Sequence, residues 1–198
     1  MSLNPFLFKK PKQKRSLIKF NTALESAESL LQDRDIHSVT IKEIAKISDI
    51  KRPTLYKFFP TTLALLFALL KKHEEKIIKL YKSNILDEQD YDLGWYINVL
   101  IDVIAIYINQ NKSAGILILE LNQLPGSEQI NLENTKLMTN SFSNILVEQK
   151  KGQSRETISL AVEIAFAILS LGYRKEGFIG SRFIAEAKRA VLAYLAVK

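Results

Sequence analysis

The chain has 198 residues, 47% of them apolar, with 28 Lys and Arg against 21 Asp and Glu for a formal charge of +7, two His and no Cys. A chain of that size can bury a real core without staples, and the lack of cysteine excludes disulfides, thiolate catalysis, iron–sulfur clusters and cysteine zinc sites. His37 and His73 are the only imidazoles and lie far apart in the chain, so no enzyme, no cofactor and no metal site are expected.

The best membrane candidate, Trp95 to Ile108, is interrupted by Asn98 and Asp102 and falls short of the roughly 18 uncharged apolar residues a spanning helix needs. The opening Met1 to Phe8 is too short for a signal peptide, and lysines follow where a small-residue cleavage site belongs. The expectation is a globular cytoplasmic protein without a membrane partner. Its charge is uneven: residues 1–60 hold 12 Lys and Arg against 6 Asp and Glu, residues 61–198 hold 16 against 15. Lys9, Lys10, Lys12, Lys14, Arg15 and Lys19 crowd the first twenty residues without one acid. Residues 1–13 read as a basic flexible leader, suited to a polyanion such as nucleic acid or an anionic membrane face.

From Lys14 to about Gln32, apolar Leu17, Phe20, Leu24, Ala27, Leu30 and Leu31 recur at three- and four-residue steps, the period of a one-sided helix. Thr40-Ile41-Lys42-Glu43 is a capping box that starts a second helix, and Ser48-Asp49 stops it, since Asp tolerates the left-handed conformation of a tight turn. A third, short helix begins near Lys51 with Pro53 in its first turn and ends before Pro60. Helical patterning continues over Thr61–Ser83, Asp90–Asn109, Ser113–Asn122, Gln129–Lys150, Arg155–Arg174 and Ser181–Val197. The breaks fall at Asn109 to Asn111, Pro125-Gly126-Ser127, Lys151-Gly152 and Gly177 to Gly180. The chain is expected to be all-α, with a helix-turn-helix domain over 14–60 and a helical regulatory and dimerisation domain over 61–198.

A capped helix, a three-residue turn and a second short helix, with small Ala45 at the crossing, make the geometry of a helix-turn-helix, whose second helix can enter a DNA major groove. Ile41, Ile44, Ile50, Leu55 and Phe59 would fill the interior, leaving Lys51, Arg52, Thr54, Tyr56 and Lys57 for solvent or DNA. Spacing alone fits a packing corner as well as a DNA reader.

The residues are more specific. Thr22-Ala23-Leu24, Val39 to Ala45 and Ser48 to Phe59 closely resemble the DNA-binding domain of the tetracycline-repressor (TetR) family, over about residues 14–70. Departures from the family pattern are Asp35 and Asp49 in place of glycine, Lys51 in place of a small hydroxyl cap, Phe58 in place of His, and Thr62-Leu63 in place of a Lys-Glu pair. The resemblance implies that Tyr56 and Thr40 donate hydroxyl hydrogen bonds to phosphates, with Lys51 and Lys57 adding charge. Arg52 and Thr54 are the candidates for base edges. It implies further a homodimer on a palindromic operator of double-stranded DNA, repression as the default, and release by a small hydrophobic ligand.

In the remaining chain, Ile158, Ala161, Val162, Ala165, Leu169 and Gly172, followed by Phe183, Ala187, Val191 and Tyr194, form a small and apolar stripe that suits either a dimer interface or an intrachain core. Trp95, Leu100, Ile104, Tyr107, Ile118, Phe142 and Phe166 could line a ligand cavity or simply be core. Asn98, Asp102 and Asn109 read as a polar solvent face, and Glu163 with Ser159 as a solvated stripe. The competing reading is a helical membrane-surface or protein-interaction module with a basic leader.

Overall fold

The computed structural model describes residues 7–85, 91–120, 139–147 and 154–196. All regular structure in them is helical: α1 (Lys14–Asp33), α2 (Ile41–Ser48), α3 (Arg52–Phe58), α4 (Thr62–Asn84), α5 (Leu93–Gln110), α6 (Lys112–Gly115), α7 (139–147), α8 (Arg155–Glu176) and α9 (Ser181–Ala196). The expected breaks at Pro125 to Ser127 and Lys151-Gly152, and most of the helix expected over 129–150, lie outside the described residues. The expected helix from Ser113 does not run straight: α6 passes at Ile116 into a wider π-type turn, Ile116–Glu120. Two compact units divide within α4, at His73 and Glu74, thirteen residues beyond the end of the sequence-defined DNA-binding segment.

In the first unit, α1 packs on α2 and α3. Phe20, Ala23, Leu24, Ala27, Leu30 and Leu31 are its buried face, and the expected fillers Ile41, Ile44, Ile50, Leu55 and Phe59 are all buried. Phe20 lies 4.8 Å from Phe59 and 5.9 Å from Phe58, ring to ring, so an aromatic cluster locks the end of α3 to α1. Glu28 of α1 accepts a 3.0 Å hydrogen bond from Lys72 of α4. Two residues of the leader, Phe8 and Lys9, contact the helices. The Phe8 ring sits 6.1 Å from Phe20 and 6.4 Å from Phe67, and the Lys9 N–H donates to the Phe58 carbonyl at 2.8 Å. Phe8 thus extends the same aromatic cluster.

In the second unit, α8 and α9 pack along each other across the Gly177 to Gly180 connection. Gly177 caps α8 in the left-handed region, φ 75°, and donates its N–H to the Tyr173 carbonyl. Gly172 lets α9 approach: a Cβ there would stand 2.6 Å from the Phe183 ring. Of the stripe expected to face solvent from α5, Asn109 is exposed and Asn98 and Asp102 are part-exposed, while Asn109 and Asp102 also bond to neighbours. Asn109 donates to the Ile179 carbonyl at 2.9 Å and accepts from the Ile179 N–H at 2.7 Å, and Asp102 accepts from Lys188 at 2.6 Å. Glu163 accepts from Thr139 at 2.6 Å, and Ser159 donates to Ser143 at 3.2 Å, tying α8 to α7 while both residues stay part-exposed. Helices α5 and α8 are long and apolar enough to cross a membrane by length and composition, yet here Ile97, Leu100, Ile101, Ile104, Ile158, Ala161, Val162 and Leu169 are buried within the unit.

Candidate nucleic-acid interface

The path into the helix-turn-helix is built from short side chains that satisfy backbone groups. Asp35 caps a single 3-10 turn, Ile36–Ser38, accepting from the His37 N–H at 2.8 Å. Its own backbone is extended, φ −64° and ψ 151°, so Asp in place of glycine brings no backbone strain at this position. Thr40 caps α2, its Oγ1 accepting from the Glu43 N–H at 3.1 Å. That bond uses an oxygen lone pair and leaves the hydroxyl proton free to donate. Residue 40 is exposed, so the proton can face a ligand.

At the turn, Asp49 takes φ 53° and ψ 31°, the single left-handed non-glycine residue among those described. This fold does require the conformation expected there, at an order of about 1 kcal/mol for a short polar residue. Lys51 then starts α3 without a side-chain cap, and its carbonyl accepts from Thr54 N–H at 2.8 Å. Arg52 and Pro53 occupy the first turn, where proline lacks only an N–H that would be unpaired anyway. The helix ends at Phe58, and Phe59 donates its N–H to the Leu55 carbonyl.

Leu55 and Phe58 anchor α3 inward. Lys51, Arg52, Tyr56 and Lys57 are exposed, Tyr56 by 52%, and Thr54 is half-buried. Tyr56 therefore does not pack beneath the following helix. Among the described residues neither Lys51, Arg52 nor Lys57 enters an ion pair. The result is a rigid rod with cations, a guanidinium and a phenol on its outer face. Such a face can neutralise phosphates and present hydrogen-bond donors to base edges. Lys42 and Lys46 of α2 are exposed as well.

The residues singled out for a ligand pocket divide. Leu100, Ile104 and Phe166 line an apolar cavity of about 20 Å³ together with Ile97, Ile101, Leu146, Ala161, Val162, Ala165 and Leu169. That volume holds roughly one water. Trp95 is instead stacked on Tyr91, ring centroids 3.8 Å apart. Tyr107 borders an open groove of about 380 Å³ between α4 and α5, with Leu80, Val99 and Ile106. Phe142 is fully buried with its ring 5.9 Å from Phe166, and Ile118 is buried in the π-type turn.

The stripe expected at a dimer interface is in good part the wall of that cavity. Ile158, Ala161, Val162, Ala165, Leu169, Gly172, Ala187 and Val191 are buried inside their own chain, whereas Phe183 and Tyr194 keep partial exposure. A residue enclosed by its own chain offers no area to a partner. Leu160, Ala167 and Leu171 of α8 are exposed and Ile164 half-exposed. They recur at steps of three and four residues, on one face of the helix. Sequence periodicity could have found this second stripe, but two apolar stripes on one helix cannot be ranked for burial without a neighbour.

Residues 23–69 match the family described as "Bacterial regulatory proteins, tetR family". The chain is 41% identical over 49 residues to "HTH-type transcriptional regulator EthR" of Mycobacterium tuberculosis (strain ATCC 25618 / H37Rv), a stretch covering 25% of this chain. It spans 23% of the length of that relative. Among solved structures, a TetR-family transcriptional regulator from Streptomyces coelicolor aligns over 93% of this chain and 100% of its own, at TM-score 0.68 and 17% identity. A TetR transcriptional regulator from Rhodococcus sp. RHA1 aligns over 93% and 98% at TM-score 0.72 and 14% identity. The fatty acid degradation regulator FadR from Bacillus halodurans aligns over 95% and 98% at TM-score 0.65 and 15% identity. These likenesses place the fold of the whole chain beside theirs.

Proposed function

We propose that this chain is a bacterial transcriptional regulator of the TetR family that binds a palindromic operator as a homodimer and represses transcription until a small hydrophobic ligand releases it; the match of residues 23–69 to that family supports the reading. The observation that carries the reading is the outer face of α3, where Lys51, Arg52, Tyr56 and Lys57 stand exposed and the three cations have no acidic partner among the described residues. Arg52 and Thr54 read base edges, the former bidentately on a guanine. Tyr56 and Thr40 donate to phosphates, and Lys51 and Lys57 neutralise them. The site of action is the cytoplasm, where the operator is.

Two-fold symmetry turns one half-site into a palindrome with centres about one DNA turn, or a multiple of it, apart. The dimer face is Leu160, Ile164, Ala167 and Leu171 of α8 with the part-exposed Phe183 and Tyr194 of α9, in place of the buried stripe. Selection of binding duplexes from a random pool, followed by sequencing, tests the reading. Recovery of an inverted repeat is the expected result; recovery of no preferred sequence rejects it.

The ligand step follows from the cavity. At about 20 Å³, the space among Leu100, Ile104, Ala161, Ala165 and Phe166 admits nothing larger than water unless α5 and α8 part. A ligand that binds there therefore favours an expanded state, and about 5 kcal/mol of differential affinity suffices to turn a population from mostly one state to mostly the other. Helix α4, which begins in the first unit and ends in the second, carries the change along the chain. Titrating the protein–operator complex with straight-chain alcohols of increasing length measures it: release that rises with chain length is expected, and no release at any length removes the ligand from the scheme.

A further inference from the structure

We infer that the basic segment preceding α1 is a second DNA-contacting element, a rail of fixed cations that grips the phosphates flanking each half-site; this rests on the DNA-binding reading above. The placement comes first. The Lys9 N–H is hydrogen-bonded at 2.8 Å to the carbonyl of Phe58, the last residue of the recognition helix. Phe8 holds the segment from below, its ring against Phe20 of α1 and Phe67 of α4. The backbone at residue 9 is therefore fastened one residue beyond Lys57, at the end of the exposed face of α3.

The charge comes second. Lys9, Lys10 and Lys12 of the segment, with Lys14 and Arg15 of the first turn of α1, are all exposed, and among the described residues none of them enters an ion pair. The turn that leads from α3 into α4, Pro60 to Leu63, carries no cation of its own, so the segment supplies positive charge where that turn has none. Like charges crowded this closely repel one another. Ordering residues 7–13 costs conformational entropy as well. A segment serving only solubility would need neither the aromatic anchor nor the hydrogen bond. Held in place, its lysines meet a polyanion with the ordering cost already met in the free protein. Duplex DNA is the polyanion that the adjoining α3 face fits, and phosphate contacts add affinity without reading sequence.

The test uses the full chain and a duplex recovered by selection, with binding measured across a salt series. K9Q/K10Q/K12Q removes three exposed charges and leaves Phe8 and the backbone bond in place. The expected results are an affinity loss of roughly ten- to hundredfold at moderate salt and a shallower salt dependence, by about 0.9 in logarithmic slope for each lysine that touches a phosphate, with the ranking of base preferences unchanged. Trimming one helical turn of flanking duplex should weaken the wild type towards the variant and leave the variant unaffected. Phe8→Ala, with every lysine retained, should lower affinity in the same non-specific way and Phe8→Leu should restore it, thermal unfolding serving as the check on the fold of both.

If the wild type binds the selected duplex and K9Q/K10Q/K12Q binds it equally with the same slope, the rail is overturned while the α3 reading stands. Loss of binding to phosphatidylserine vesicles with duplex binding intact overturns it too, in favour of a lipid surface. If the wild type binds no duplex at all, the α3 reading falls and takes the rail with it.

Discussion

In the first unit three cations of one short helix, Lys51, Arg52 and Lys57, stand exposed without an acidic partner among the described residues, beside a Lys72–Glu28 pair; in the second Lys188 is tied to Asp102 and Arg189 to Glu186, while Arg174, Lys175 and Arg182 are spread along two helices without an ion pair among the described residues. The same contrast holds for short polar side chains. Thr40 and Asp35 cap backbone at the rim of an exposed face, while Asn109 bonds to the connection between α8 and α9, and Ser159 and Glu163 to α7. Unpaired surface charge contributes nothing to the stability of the first unit. Its clustering on α3 gives the first unit a surface suited to a partner of opposite sign, whereas in the second unit polar groups bonded to neighbours sit beside a buried Tyr81 hydroxyl and Asn98 Oδ1 that have no hydrogen-bond partner among the described residues.

The contrast can be broken experimentally, and the largest effect belongs to the second unit's outer apolar face. Leu160→Asp with Leu171→Asp is expected to give a folded monomer by sedimentation at micromolar concentration and an operator affinity lower by several kcal/mol, because one half-site contact is lost and burying a carboxylate in an apolar interface is costly. A variant that stays dimeric moves the interface elsewhere. On the first unit's face, Arg52→Ala should cost about 1–3 kcal/mol at one base position and relax specificity there, whereas Lys57→Ala should weaken operator and random duplex alike. Equal losses on both duplexes for Arg52→Ala would assign it to the phosphates.

Smaller effects test the internal economy of each unit. Asn109→Ala leaves the Ile179 N–H and carbonyl without their partner and should lower unfolding free energy by about 2 kcal/mol, with base preferences intact. Asp49→Gly should stabilise the first unit, by at most about 1 kcal/mol, since glycine takes φ 53° without strain but loses more chain entropy on folding. Tyr81 gives the smallest effect at neutral pH. Burial, with Tyr96 close by, pushes its phenol well above its ordinary range, and its hydroxyl has no hydrogen-bond partner among the described residues. Its folded-state pKa being raised, its contribution is intact below the unfolded value of 10.0 and declines as pH rises above that value, when the unfolded chain ionises and the native one does not. Tyr81→Phe is expected to leave neutral stability nearly unchanged and to flatten the alkaline limb of a stability–pH curve.

The helix-turn-helix was legible because its signals are local. Thr40 and Glu43 lie three residues apart and form their cap bond regardless of what surrounds them, Asp49 supplies a left-handed turn from its own backbone, and Pro53 fits the first turn of α3 wherever that helix points. The partition of the second unit was not legible. Ala161 and Leu160 are adjacent in sequence and both apolar, yet the first is 1% exposed and the second 48%. Asp102 keeps a part-exposed side chain, and nothing near it in sequence announces its partner Lys188, 86 residues away. Nor does the sequence around the part-exposed Glu163 announce its partner Thr139, which lies on another helix.

Sequence by itself determined where helices start and stop, that the chain is all-α, that positive charge gathers in the first sixty residues, and which residues of α3 turn inward, because each of these follows from contacts within a few residues or from composition. Tertiary structure alone decided that the basic leader is fastened to the end of α3, that one apolar stripe of α8 walls a nearly closed cavity while another meets solvent, and that the polar residues of α5 answer to α9. Those outcomes depend on which neighbour arrives, and hydrophobic burial, being non-directional, leaves no mark of its partner in the residue that is buried.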